Sequence, residues 1–349
     1  MQRYLSQKAR GITPYTAGAQ PQGADIIKLN TNENPYPPSP AALDALTRFD
    51  ATRLRLYPRP DGGPLRAAAA QVFGLPESHV FCGNGSDEVL GFAFDAFFDG
   101  DILFPDITYS FYPVWAAYYG ISYNTLPLGD DFSVPVDSMV SQGGIVLANP
   151  NAPTGIALPL SDVERILQAN TKRVVIVDEA YAAFGTESAV SLVGRFPNLL
   201  VVKTLSKSHA LAGLRVGLAL GQPHLIDALT RIKDSFNSYP VDMLAQHISA
   251  AALLDTEYYD AIARRIIDTR ERTARSLKSM GFHVLPSSAN FLFASKPGRS
   301  ASQLKSHLEQ HGIYVRHFNL PRISEYLRIS IGTDEQMDAL LRCIGEYTP

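Results

Sequence analysis

Two cysteines, Cys82 and Cys343, occur in 349 residues, too few for a disulfide framework in a chain of this size. Such usage points to a reducing compartment. Long apolar runs are also missing: no stretch reaches the roughly 18 residues a membrane helix needs, and Met1 to Lys8 contain no apolar core of signal-peptide length. The expected location is the cytoplasm. Strong charge of one sign is absent too, with a formal net charge of −3 and 19% charged residues, so nothing directs the chain to nucleic acid or to an anionic membrane surface. A small-molecule partner is expected. The loop Gly83-Asn84-Gly85-Ser86 is neither a Walker A motif nor a dinucleotide fingerprint, and the chain has no internal repeat and no low-complexity tract.

The length corresponds to roughly two domains, enough to bury a large core. Residues 1–30 read as an arm rich in Gly, Pro and polar residues, packing with the small domain or with a partner subunit. From 31 to 240, short β-branched runs (102–104, 144–148, 173–177, 199–203, 214–220) alternate with helical patterns (86–98, 110–119, 160–169, 223–234). That alternation predicts βαβ units around a mixed, mainly parallel sheet, an α/β domain large enough to carry the ligand site. Residues 241–349 start with a helical pattern, continue as strand-like pieces at 282–285, 290–294, 313–316 and 326–331 around a helix at 300–311, and end in a helix at 334–346. They predict a smaller α+β domain.

Four groups then follow one another in an order that carries chemistry. Asn151 follows the strand-like run 144–147, Asp178 ends the run Val174-Val175-Ile176-Val177, and Lys207 and Arg215 follow a third run, with separations of 27, 29 and 8 residues. Asp178 alone would be an ordinary strand end, Lys207 alone a solvated surface lysine, and the Asn-Pro-Asn segment alone a turn. Together they match the needs of pyridoxal phosphate. A lysine holds the aldehyde as a Schiff base, a carboxylate keeps the pyridine nitrogen protonated, and an arginine fork grips the phosphate. Tyr181 and the Asn151 amide can donate to the ring's phenolic oxygen. Thr204 and Ser206 add hydroxyls at the phosphate, and Gly85, Ser86 and Asp87 open a helix whose free amides form an anion site, with Ser86 as its expected cap.

These motifs, with Lys28 to Pro35, Tyr57-Pro58, Asp178-Glu179-Ala180-Tyr181 and Tyr326 to Thr333, resemble the fold-type I pyridoxal-phosphate-dependent aminotransferases from end to end, and among them the histidinol-phosphate aminotransferase family. The resemblance implies a large domain with a mainly parallel sheet, a smaller α+β domain and a homodimer. It implies that Tyr109 stacks on the cofactor ring, that Tyr57 reaches the phosphate of the neighbouring subunit's cofactor, that Arg316 and Arg328 bind substrate anions, and that Tyr15 closes over the substrate. Transfer of an amino group between glutamate/2-oxoglutarate and histidinol phosphate/imidazole acetol phosphate, in histidine biosynthesis, is the implied reaction. Ala152, where the family usually has a second Asn, and Pro37, where it has a Gly, depart from the pattern.

Three other readings use the same residues: an aromatic amino-acid aminotransferase, a decarboxylase of a phosphorylated amino acid, and a cofactor-binding module of a regulator. The last expects a DNA-binding domain ahead of the cofactor domain, where only about 30 residues stand. His307 and His311 have the four-residue spacing at which two imidazoles share a metal, but no third ligand stands near them in sequence, and no metal is expected. Phe92, Phe94, Phe97 and Phe98 are read as core.

Overall fold

A computed structural model describes residues 4–347, apart from Ala17, Gln22 and Ala24. The arm carries a short helix, α1 (Gln7–Gly11), and a strand, β1 (Ile27–Leu29). After α2 (Pro40–Thr47) and α3 (Gly63–Phe73) come β2 (Val80–Gly83), α4 (Gly85–Phe97), β3 (Ile102–Pro105), α5 (Tyr112–Tyr119), β4 (Tyr123–Leu126), β5 (Gly144–Ala148), α6 (Leu160–Ala169), β6 (Val175–Asp178), β7 (Leu199–Thr204), β8 (Gly217–Gly221) and α7 (Pro223–Phe236). The seven strands β2–β8 form one sheet in the order β2-β8-β7-β6-β5-β3-β4. Only β8 runs against its neighbours; the other pairs are parallel.

The alternation of side chains along these strands explains the layers. Ile145, Leu147, Val175, Val177, Leu199 and Val201 face one core, shared with α3 and α6. Their neighbours Val146, Ile176, Leu200 and Val202 face the other, shared with Phe92 and Phe94 of α4, Trp115 of α5 and Leu229 of α7. Helices cover both faces, which is why the strands read as continuous apolar runs. The aromatic run of α4 is core, as its sequence predicts: Phe94 is fully buried, and burying one such side chain contributes about 1.5–3 kcal/mol.

The rest of the chain forms α8 (Met243–Leu254), α9 (Thr256–Ser279), β9 (His283–Val284), β10 (Phe291–Ser295), α10 (Ala301–Gln310), β11 (Ile313–His317), β12 (Tyr326–Ser330) and α11 (Asp334–Glu346). α8 packs its Ala245, Ile248 and Leu253 into the first core, whereas Ile262, Ile266 and Leu277 of α9 belong to the core of a second sheet. That sheet has the order β1-β11-β12-β10-β9. Its first strand comes from the arm, paired parallel to β11. No helix among the described residues is long and apolar enough to cross a membrane.

Candidate active site

β5, β6 and β7 lie side by side and parallel, in a register that aligns Ala148 with Asp178 and Asp178 with Val202. Their carboxyl ends therefore open at one level, where open α/β sheets bind ligands. A cavity of about 440 Å³ lies there, lined by residues from the large sheet, the arm, and strands β11 and β12 of the small sheet.

Asp178, the last residue of β6, is buried, and Tyr112 at the start of α5 donates its hydroxyl to the carboxylate at 2.9 Å. Burial pushes the Asp178 carboxyl up to about 6, opposed by the Tyr112 hydrogen bond and by the Ala180 amide. Lys207 reaches the same cavity from the loop after β7, and its amine donates to the Thr31 carbonyl at 2.8 Å. Burial first, and then the Arg328 guanidinium, lower the amine to about 8. An uncharged, nucleophilic amine is thereby brought near neutral pH.

Tyr181 lines the cavity and accepts a hydrogen bond from Asn32 Nδ2 at 3.0 Å. Asn32 is itself held, in a left-handed backbone conformation, by Ser330 of β12, which accepts from its amide and donates to its side-chain oxygen. With one lone pair of Tyr181 engaged, its proton is free to serve a partner in the cavity.

At the opposite wall, Arg215 hydrogen-bonds Ser206 at 3.5 Å and pairs with Asp87 at 3.2 Å. Asp87 also accepts from the Tyr109 hydroxyl at 3.1 Å. Ser86, Thr204 and Ser206 line the cavity with them. Gly85 lies beneath Arg215: its φ is +84°, a conformation that side chains rarely adopt, and a Cβ there would lie 2.7 Å from Arg215 Nη2. Ser86 is not the cap of α4, contrary to expectation. The helix begins one residue earlier, Asn84 takes the cap position with its own amide donating to Glu88 at 2.6 Å, and its side chain caps none of the amides that follow. Those donors are thus left for an anion.

Arg316 and Arg328 are direct partners across the β11–β12 ladder, and both line the cavity. Arg328 donates to the Asn30 carbonyl at 3.0 Å, while its buried Nε has no partner among the described residues. Tyr15 closes the arm side of the cavity, stacked on Phe111 at 4.7 Å.

Two expected members lie elsewhere. Asn151 does not line the cavity; Ala152 does. The Asn151 amide donates to the Ile107 carbonyl and the Thr154 hydroxyl, and its oxygen accepts from Thr108, so neither of its side-chain hydrogens is left to donate to a ligand. Tyr57 is 81% exposed and stacks on Tyr239, outside the cavity of its own chain.

The model of the family "Aminotransferase class I and II" matches residues 24–344. The chain belongs to the class I and II aminotransferases. It is 53% identical to histidinol-phosphate aminotransferase 1 of Burkholderia pseudomallei, with 99% of both chains covered, and 51% identical to the histidinol-phosphate aminotransferase of Pseudomonas putida, with 99% of this chain and all of the relative covered. In fold it is similar to the crystal structure of a histidinol-phosphate aminotransferase from Sinorhizobium meliloti in complex with pyridoxal-5'-phosphate: the TM-score is 0.87, the identity 24%, and the coverage 98% of this chain and 97% of that one. For a class I and II aminotransferase, a lysine, a carboxylate and an arginine around one cavity are the parts that amino transfer requires.

Sequence reading missed Tyr112 and Asn32. Tyr112 stands three residues after Tyr109 in an aromatic stretch, indistinguishable from core without the tertiary contact. Asn32 had a cue in its asparagine-rich run 30–34, which is polar where the chain passes between two sheets. Away from the cavity, the structure brings Cys343 of α11 to the His307–His311 pair, a third side chain of a metal-binding type that helix spacing alone did not reveal.

Proposed function

We propose that this aminotransferase exchanges the amino group between glutamate/2-oxoglutarate and histidinol phosphate/imidazole acetol phosphate, with pyridoxal phosphate as cofactor. The observation that carries the reading is Lys207, a buried amine lowered to about 8 and bonded to a backbone carbonyl, in one cavity with Asp178, Arg215 and the Arg316–Arg328 pair. Full-length identity of about half to relatives named for that reaction supports the substrate.

The residues present fit the cofactor. An uncapped helix start, an arginine over a glycine and two hydroxyls suit its phosphate; a buried carboxylate suits its ring nitrogen. When bound, it supplies an aldehyde that receives the amino group and a ring that takes up electrons from the substrate α-carbon. Lys207 would hold the aldehyde and, as a free amine, would move the proton at the substrate α-carbon. Asp178, oriented by Tyr112, would pair with the ring nitrogen, and Tyr181, oriented by Asn32, would donate a hydrogen bond to the phenolic oxygen. Arg316 and Arg328 offer two forks for substrate anions, and Tyr15 excludes water from the arm side. Tyr57 completes the site of the other subunit in a homodimer.

The test is a half-reaction screen with glutamate, histidinol phosphate, phenylalanine and threonine phosphate, each followed by the loss of the cofactor's visible absorbance. Glutamate and histidinol phosphate should convert the cofactor fastest. Faster conversion by phenylalanine, or carbon dioxide release from threonine phosphate, would replace this substrate assignment.

A further inference from the structure

α10 and α11 both end at one place on the small domain. His307 lies in the last turn of α10 and His311 caps it, while Cys343 lies in the last turn of α11, Asp334–Glu346. One ligand atom from each of these three side chains lies within 4.8 Å of the other two. A tetrahedral zinc ion needs its nitrogen and sulfur ligands about 3.3–3.6 Å apart, from bonds of about 2.0–2.3 Å. The cluster is looser than that by roughly 1 Å, within reach of side-chain rotation because His311 is exposed and His307 only half-buried.

Each imidazole has one nitrogen held by a backbone carbonyl. The contact of His307 Nε2 with the Cys343 carbonyl, at 3.2 Å, and that of His311 Nδ1 with the His307 carbonyl, at 2.9 Å, each require an N–H on that nitrogen, since a carbonyl only accepts. In the neutral ring the other nitrogen then carries a free lone pair. Metal-binding histidines are held in this way, with one N–H on a backbone carbonyl and the second nitrogen on the ion. Two helix carboxyl ends converging on the site also place their negative dipole ends toward a cation.

We propose that His307, His311 and Cys343 form a binding site for a borderline-soft divalent metal ion, zinc by preference, that clasps α10 to α11. The three side chains supply one sulfur and two nitrogens, with water in a fourth position. On binding, the Cys343 thiol gives its proton to solvent and the thiolate bonds the ion.

The probes are Co²⁺ and Zn²⁺, titrated into the cofactor-loaded protein. One Co²⁺ per chain should produce a thiolate-to-cobalt charge-transfer band in the difference spectrum against the Zn²⁺-loaded form, and Cys343→Ser should abolish it. His307→Ala and His311→Ala should each weaken Zn²⁺ binding by at least about tenfold, the lower range for losing even an outer partner of a metal ligand. Zn²⁺ should raise the Tm of the native chain but not of the triple variant. Transamination should persist in all three single variants, which also reports that they fold. A band that survives Cys343→Ser, or Zn²⁺ bound no more tightly by the native chain than by the triple variant, would overturn the proposal.

Discussion

The Tyr112 hydroxyl donates to Asp178 Oδ2 at 2.9 Å, with both side chains buried. A hydrogen bond to a charged group contributes about 1.5–3 kcal/mol, and here it opposes the burial that pushes the Asp178 carboxyl up to about 6. Removing the donor in Tyr112→Phe raises the carboxyl further, so the ionised form needed at a ring nitrogen is reached only at higher pH. The acid limb of the kcat profile should therefore move upward, and kcat at pH 7 should fall by roughly two- to fifteenfold, the change in ionised fraction that losing about 1.5–3 kcal/mol produces from a starting value of about 6. Asp178→Asn removes the charge itself and should lower kcat by at least about a hundredfold. An unmoved acid limb in Tyr112→Phe would reduce that tyrosine to a packing residue.

Lys207 sets a second pH dependence. Its folded-state value is lowered to about 8 from 10.5, so the neutral amine accumulates as pH rises through about 8. At pH 7 about one Lys207 in ten is neutral, against roughly three in ten thousand for an unshifted lysine. Recombination of cofactor-free protein with pyridoxal phosphate should accelerate with a midpoint near pH 8, and borohydride should then fix the cofactor on Lys207. A label on another lysine, found by mass spectrometry, would overturn the assignment.

Gly85→Ala tests the phosphate corner. The new Cβ would lie 2.7 Å from Arg215 Nη2, at a φ of +84°, so both the backbone and the guanidinium must shift. Cofactor affinity should weaken by at least about fivefold, given the roughly 1–3 kcal/mol cost of a strained backbone position. Equilibrium dialysis against pyridoxal phosphate measures it. Unchanged affinity would mean that Arg215 does not need its place over Gly85.

Strands β5, β6 and β7 were legible because two-sided burial leaves continuous apolar runs, and Asp178 was legible because a carboxylate breaks such a run at its carboxyl end. Elements made by long-range pairing were not. β1 is three residues long and exists through its pairing with β11, and α3 starts in Gly62-Gly63-Pro64, where the glycines read as a turn. Asn151 and Ala152 are adjacent, and which of them faces the cavity is decided by the path of the backbone between two prolines, not by residue type. Tyr112 and Cys343 have the same difficulty, since each acquires its neighbours from a different element.

The exposure of Tyr57 leads to the last prediction. At 81% exposed and outside the cavity of its own chain, it can serve a site only by crossing a subunit interface, and an isologous dimer would let each chain supply its Tyr57 to the other. Lys207→Ala homodimers lack the amine and should be inactive; Tyr57→Phe homodimers should be impaired at both sites. In a hybrid of the two, the chain carrying the Tyr57→Phe change keeps its own Lys207 and receives an intact Tyr57 from its partner. One of the two sites is then fully native, while the other lacks both groups. Mixing and reassembling the variants should raise activity above that of the Tyr57→Phe homodimer, with size-exclusion chromatography reporting the dimer. Impaired Tyr57→Phe homodimers with no gain on mixing would place the tyrosine's effect within its own subunit.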